Sequence, residues 1–106
     1  MINYDPEADA LYVGFNSKKA YFSLELSLRI IVDLSESNKA IGVELLDASK
    51  LISELFGFKV GKAELTNLGC HVEDKDELLL RFVLNKKHQS LLIPKAYNSP
   101  ILTSKS

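Results

Sequence analysis

Three acidic residues at a spacing of two, Asp5, Glu7 and Asp9, are the first side chains in this sequence whose types could do chemistry. Hard cations such as Ca²⁺ and Mg²⁺ take oxygen ligands, and closely spaced carboxylates can supply them. The segment lacks the glycine and the distal bidentate acid of a calcium loop. Asp5 before Pro6 also suits a simpler role, since a carboxylate at a turn caps free N–H groups while proline takes the first position. Cys70 and His71 are adjacent, but neighbours on a strand point to opposite faces and cannot share a site. A Cys–His nucleophile pair would need His88 folded beside Cys70; otherwise Cys70 is a small core residue. Asp33, Glu44 and Asp47 could do acid–base work only if burial separated their pKa values. Asp47 reads as a helix cap and Asp33 as a strand-end acid. The five glycines, at 14, 42, 57, 61 and 69, are too scattered for a phosphate loop.

Charge is unevenly distributed. Residues 1–77 hold 14 acidic and 8 basic side chains, a net of −6, whereas residues 78–106 hold five basic side chains and no acid. The basic third, with Lys86, Lys87, His88, Lys95 and Tyr97, could touch phosphate. With two arginines in the whole chain, it lacks the density of a nucleic-acid surface. Nucleic acid is therefore not the expected partner, and pairing of the two halves, within the fold or between subunits, explains the split. A single cysteine excludes an internal disulfide, and the N-terminus carries no basic-then-apolar leader, so the cytoplasm is the expected setting. No apolar run reaches the ~20 residues of a membrane helix.

Alternation of apolar and polar residues dominates the elements that must position these groups. Ile2–Tyr4 and Ala10–Phe15 read as strands around a tight turn at Asp5–Asp9. Phe22, Leu24, Leu26, Leu28, Ile30, Val32 and Leu34 are apolar at a spacing of two, which predicts one long strand over 21–34 with a bend near Ser27. Ala40–Leu46 follows. Ala48, Leu51, Ile52, Leu55 and Phe56 have the spacing of an apolar helix stripe over 47–57, capped by Asp47 and stopped by Gly57. Residues 62–73 read as extended with a bulge at Thr66–Asn67, Leu78–Leu84 as a strand, Asn85–Ser90 as a turn and Leu91–Ile93 as a last strand closed by Pro94.

The strings Tyr4-Asp5-Pro6-Glu7-Ala8-Asp9-Ala10-Leu11-Tyr12-Val13, Ile31-Val32-Asp33 and Ile41-Gly42-Val43-Glu44-Leu45-Leu46-Asp47-Ala48-Ser49 resemble the domain of unknown function 2283 family over residues 1–52. That resemblance implies a small prokaryotic protein, a meander sheet with one helix and no assigned catalytic residue. Some members look like partners of small toxin-type proteins.

The expected fold is α+β, a mainly antiparallel meander sheet of six to seven strands, curled or in two layers, with one short helix packed on it. Residues 1–96 are expected to form one domain, with a family-like sheet and helix at 1–57 and an additional meander at 58–96. Residues 97–106 are expected to be a mobile tail. The favoured function is a non-enzymatic protein-interaction or regulatory module. The alternative is a small metal-dependent enzyme or ligand-binding domain using Asp5, Glu7 and Asp9. No cofactor is called for, and unprotected strand edges predict a homodimer, with a further protein as a second kind of partner.

Overall fold

The computed structural model describes residues 1–94. Eight strands and two helices follow in the order β1 (Ile2–Asp5), β2 (Ala10–Gly14), β3 (Phe22–Ser27), β4 (Ile30–Leu34), β5 (Ala40–Leu45), α1 (Ala48–Phe56), α2 (Lys62–Leu65), β6 (Gly69–Asp74), β7 (Leu78–Leu84) and β8 (Lys87–Ile93). The class is α+β. Instead of one sheet of six to seven strands, the chain makes an antiparallel five-stranded sheet, β1-β2-β5-β4-β3, and an antiparallel three-stranded sheet, β6-β7-β8. The larger sheet is not a simple meander. The 15–21 connection carries the chain from β2 to the far edge, and β5 returns to pair with β2.

Residues 21–34 form a hairpin rather than one strand. Ser27 pairs with Ile30 across a two-residue turn at Leu28–Arg29, and the register then skips Leu26, so that Glu25 faces Ile31. A two-residue turn alone would set odd residues of β3 opposite even residues of β4. The bulged Leu26 adds one residue and restores the match, so that Phe22, Leu24, Val32 and Leu34 share a face. The alternation therefore runs unbroken through a reversal of the chain.

The inner face of the larger sheet supplies Leu11, Val13, Val32, Leu34, Val43 and Leu45 to an apolar core. Ala48, Ile52 and Phe56 of α1 and the inward Leu78, Leu80, Phe82 and Leu84 of β7 complete it. Helix α1 is the amphipathic segment anticipated from its apolar stripe, and Gly57 ends it in the left-handed conformation (φ 81°), with its N–H donating to the Ser53 carbonyl. The Leu65–Leu68 spacing marks the short helix α2, not a bulge: the Glu64 carboxylate accepts from the Gly61 N–H at 2.9 Å and fixes its first turn. Strand β8 begins at Lys87, earlier than its apolar residues suggest, because the 85–86 turn holds only two residues. Among the described residues, no helix is long and apolar enough to cross a membrane. The expected tail at 97–106 lies outside the described residues.

Candidate functional site

The acidic trio divides its work. Asp5 folds back on its own turn, its Oδ1 accepting from the Glu7 N–H at 3.0 Å and the Ala8 N–H at 3.4 Å. Glu7 is exposed. Asp9 turns the other way and seats the start of α1: its carbonyl accepts from the Ala48 N–H at 2.9 Å, its Oδ1 from the Ser49 N–H at 3.0 Å and its Oδ2 from the Ser49 hydroxyl at 2.7 Å. The Tyr4 hydroxyl donates to Asp9 Oδ1 at 2.6 Å. Burial pushes the Asp9 carboxyl upward, but the bonds from Tyr4 and Ser49, with the Lys62 charge, outweigh it and hold the pKa below the ordinary value. Burial first, and then Asp9 and Asp5, push the Tyr4 phenol well above its usual range. Among the described residues, no group of three or more His, Cys, Asp or Glu side chains is placed to hold a metal ion.

Asp47 makes no side-chain cap to α1. It occupies the left-handed region (φ 50°), which aspartate tolerates better than most residues, and so bends the chain into the helix. The cap comes instead from Asp9 on the β1–β2 turn, a role that local spacing around the helix could not reveal.

Asp33 and Glu44 lie on the outer face of the larger sheet, where register places them beside Tyr12 on β2. Tyr12 faces Glu44, and Asp33 faces Gly42. The Tyr12 ring lies across Gly42, filling the space a side chain would need, and its hydroxyl is turned toward the Asp33 carboxylate. Asp33 Oδ1 also accepts from the Ser23 hydroxyl at 2.6 Å. Burial first, then the Asp33 and Glu44 charges, raise the Tyr12 pKa, so this phenol stays protonated at neutral pH. The group forms a polar strap over four neighbouring strands, β2, β5, β4 and β3, on an open sheet face. A shallow cleft of about 390 Å³ lies beside it, lined by Met1, Tyr12, Gly14, Phe15, Asn16 and Ser17. This arrangement can bind by hydrogen bonding, but neither Asp33 nor Glu44 is enclosed as an acid–base pair requires.

In the smaller sheet, Cys70 pairs with Phe82 and packs against the core, whereas His88 pairs with Val83 on the other outer strand. Strand β7 lies between them and they face opposite sides, so no Cys–His pair forms. Burial pushes the Cys70 thiol up to about 11. His71 and Arg81 reach Glu73 on the exposed face at 3.9 and 3.8 Å. Lys87 lies 4.7 Å from the centre of the Phe58 ring, so one lysine of the basic third is a cation–π partner within the fold. Lys95 and Tyr97 fall outside the described residues.

Among the described residues, the largest concentration of exposed apolar side chains lies on β3 and its flanks: Tyr21 is 67% exposed, Phe22 39%, Leu26 36% and Leu28 87%. Among the described residues, strand β3 is an outer strand of the five-stranded sheet, with β4 on one side only. It has no fully buried residue, although half-buried Leu24 touches the core. The apolar alternation made Phe22, Leu26 and Leu28 look like core.

Residues 1–49 match the family model described as protein of unknown function (DUF2283). The matched segment covers the five strands of the larger sheet and ends at Ser49, the residue that Asp9 grips. It contains both polar clusters, Tyr4–Asp9–Ser49 and Tyr12–Asp33–Ser23, and all of β3. No curated protein and no solved structure matches the chain.

Proposed function

We propose that this chain is a non-enzymatic protein-interaction module that engages its partner through strand β3. The observation that carries this reading is the coincidence of a strand edge that is unpaired among the described residues with the exposed side chains of Tyr21, Phe22, Leu26 and Leu28. An outer strand presents free N–H and C=O groups that an added strand can satisfy, and apolar side chains beside it supply binding free energy. The bulge at Leu26 limits how far such an edge can extend, which favours a short, defined pairing over open-ended aggregation. Residues 1–94 act as one unit in this reading, supported by the core that both sheets share. We place the protein in the cytoplasm of a prokaryotic cell, a setting in which a single half-buried thiol such as Cys70 stays reduced.

The test replaces Leu26 and Leu28 with lysine. Leu28 is 87% exposed and Leu26 36%, so the variant keeps the fold of the parent, read as an unchanged far-UV circular dichroism spectrum. In a pull-down from native cells with mass spectrometry, the parent retains specific proteins that the variant loses. An identical set of captured proteins would overturn the reading.

A further inference from the structure

Resting on the interaction-module reading, we propose that the partner at β3 is a second copy of this chain, paired antiparallel across a two-fold axis at Leu24. The argument is one of register. Two copies of one strand paired about a two-fold axis align face to face only when the axis passes through a residue, because an axis between residues sets odd positions opposite even ones. Such a pairing would oppose Leu24 to Glu25 and Phe22 to Ser27, with apolar groups against polar ones.

Three central residues remain. An axis at Glu25 places two Glu25 carboxylates directly opposite each other, a like-charge pair that destabilises a sheet. An axis at Ser23 sets Tyr21 against Glu25 and moves Leu26 opposite Ala20, beyond the strand. An axis at Leu24 sets Leu24 against its own mate, Phe22 against Leu26 twice, and neutral Ser23 against Glu25 twice. All apolar residues of the run then meet apolar residues, and no two like charges meet. Leu24 is also the middle of Phe22–Leu26, the stretch that ends at the bulge. The two five-stranded sheets would join edge to edge, with β3 beside its mate. Phe22 and Leu26, each more than a third exposed in the single chain, would cover one another across the axis.

The experiment uses the full chain. Sedimentation of the parent at micromolar concentration should give a dimer, and a monomer would overturn the proposal. In a Cys70→Ala background, Ser23→Cys, Leu24→Cys and Glu25→Cys are compared under mild oxidation. Only a residue on the axis faces its own copy within disulfide range, so Leu24→Cys should cross-link roughly tenfold faster than either neighbour. Fastest linkage through Glu25→Cys or Ser23→Cys would overturn the register. A monomeric parent whose captured proteins are lost in the Leu26→Lys, Leu28→Lys variant would refute self-pairing yet leave the interaction-module reading standing. A dimer that survives those lysines unchanged would refute pairing through β3.

Discussion

The Asp9 carboxylate bonds both the backbone N–H and the hydroxyl of Ser49, forty positions further along the chain. It fixes the β1–β2 turn against the first turn of α1, where free N–H groups and the helix dipole favour a negative charge. Asp9→Ala should therefore cost about 1–2 kcal/mol, the usual range for losing a helix cap, and lower the melting temperature by roughly 5 °C or more. The dependence on pH has a definite sign. Because the folded pKa of Asp9 is depressed, its contribution is present in full above the unfolded carboxylate value near ~4 and is lost as pH falls through the folded value. Urea unfolding between neutral and strongly acidic pH should show a shallower acid loss for Asp9→Asn than for the parent. Parallel curves would remove Asp9 from the explanation.

Gly42 and Tyr12 are coupled by space. A methyl group at 42 overlaps the Tyr12 hydroxyl, so the ring must swing off Asp33. Gly42→Ala should cost about 1–3 kcal/mol in the parent and distinctly less in a Tyr12→Ala background, where the space is vacant. Denaturant midpoints for the four combinations form a double-mutant cycle, and strict additivity would contradict the packing. The phenol titration of Tyr12, raised in the parent, should return toward ordinary tyrosine in Gly42→Ala.

Cys70 should be a slow nucleophile. Burial raises its thiol to about 11 from 9.0, so at a given pH below both values the thiolate is about a hundredfold scarcer than in the unfolded chain. Iodoacetamide labelling at mildly alkaline pH should be slow in the native protein and fast in urea. Equal rates in the two states would contradict this environment.

The β7–β8 turn carries a removable strain. Asn85 and Lys86 both have positive φ, 49° and 67°, as a two-residue hairpin with mirror-image turn geometry requires. Asparagine tolerates this conformation; lysine does not. Lys86→Gly should stabilise the protein by about 0.5–1 kcal/mol, visible as a higher thermal midpoint. A lower midpoint would mean that the Lys86 side chain makes a contact worth more than the strain.

Which parts of the structure the sequence made legible follows from the physics of each signal. Leu78, Leu80, Phe82 and Leu84 read correctly because a strand buried on one face repeats every two residues. The reversal at Leu28–Arg29 did not, since bulge and turn together preserve that repeat. The first half of β8, Lys87-His88-Gln89-Ser90, is exposed on both faces and leaves no hydropathy trace. Asp9 was visible as a carboxylate, but its partner is distant in sequence, so with neighbouring Asp5 and Glu7 it read as part of a turn cap or a cation site. The strap of Tyr12, Asp33 and Ser23 was missed for the same reason: only strand register joins its three members. The small residue at Gly42, amid apolar β-formers, was its one local trace.

One feature of the core reaches past this chain. The wall formed by Leu11, Val13, Val32, Leu34, Val43 and Leu45 is sealed by α1 and by β7, all but the first two residues of which lie beyond the matched segment. A polypeptide made of the matched stretch alone would leave that wall wet. It would need some other roof, whether a different C-terminal extension or a neighbouring molecule, so diversity among such proteins should concentrate in what closes this one greasy surface.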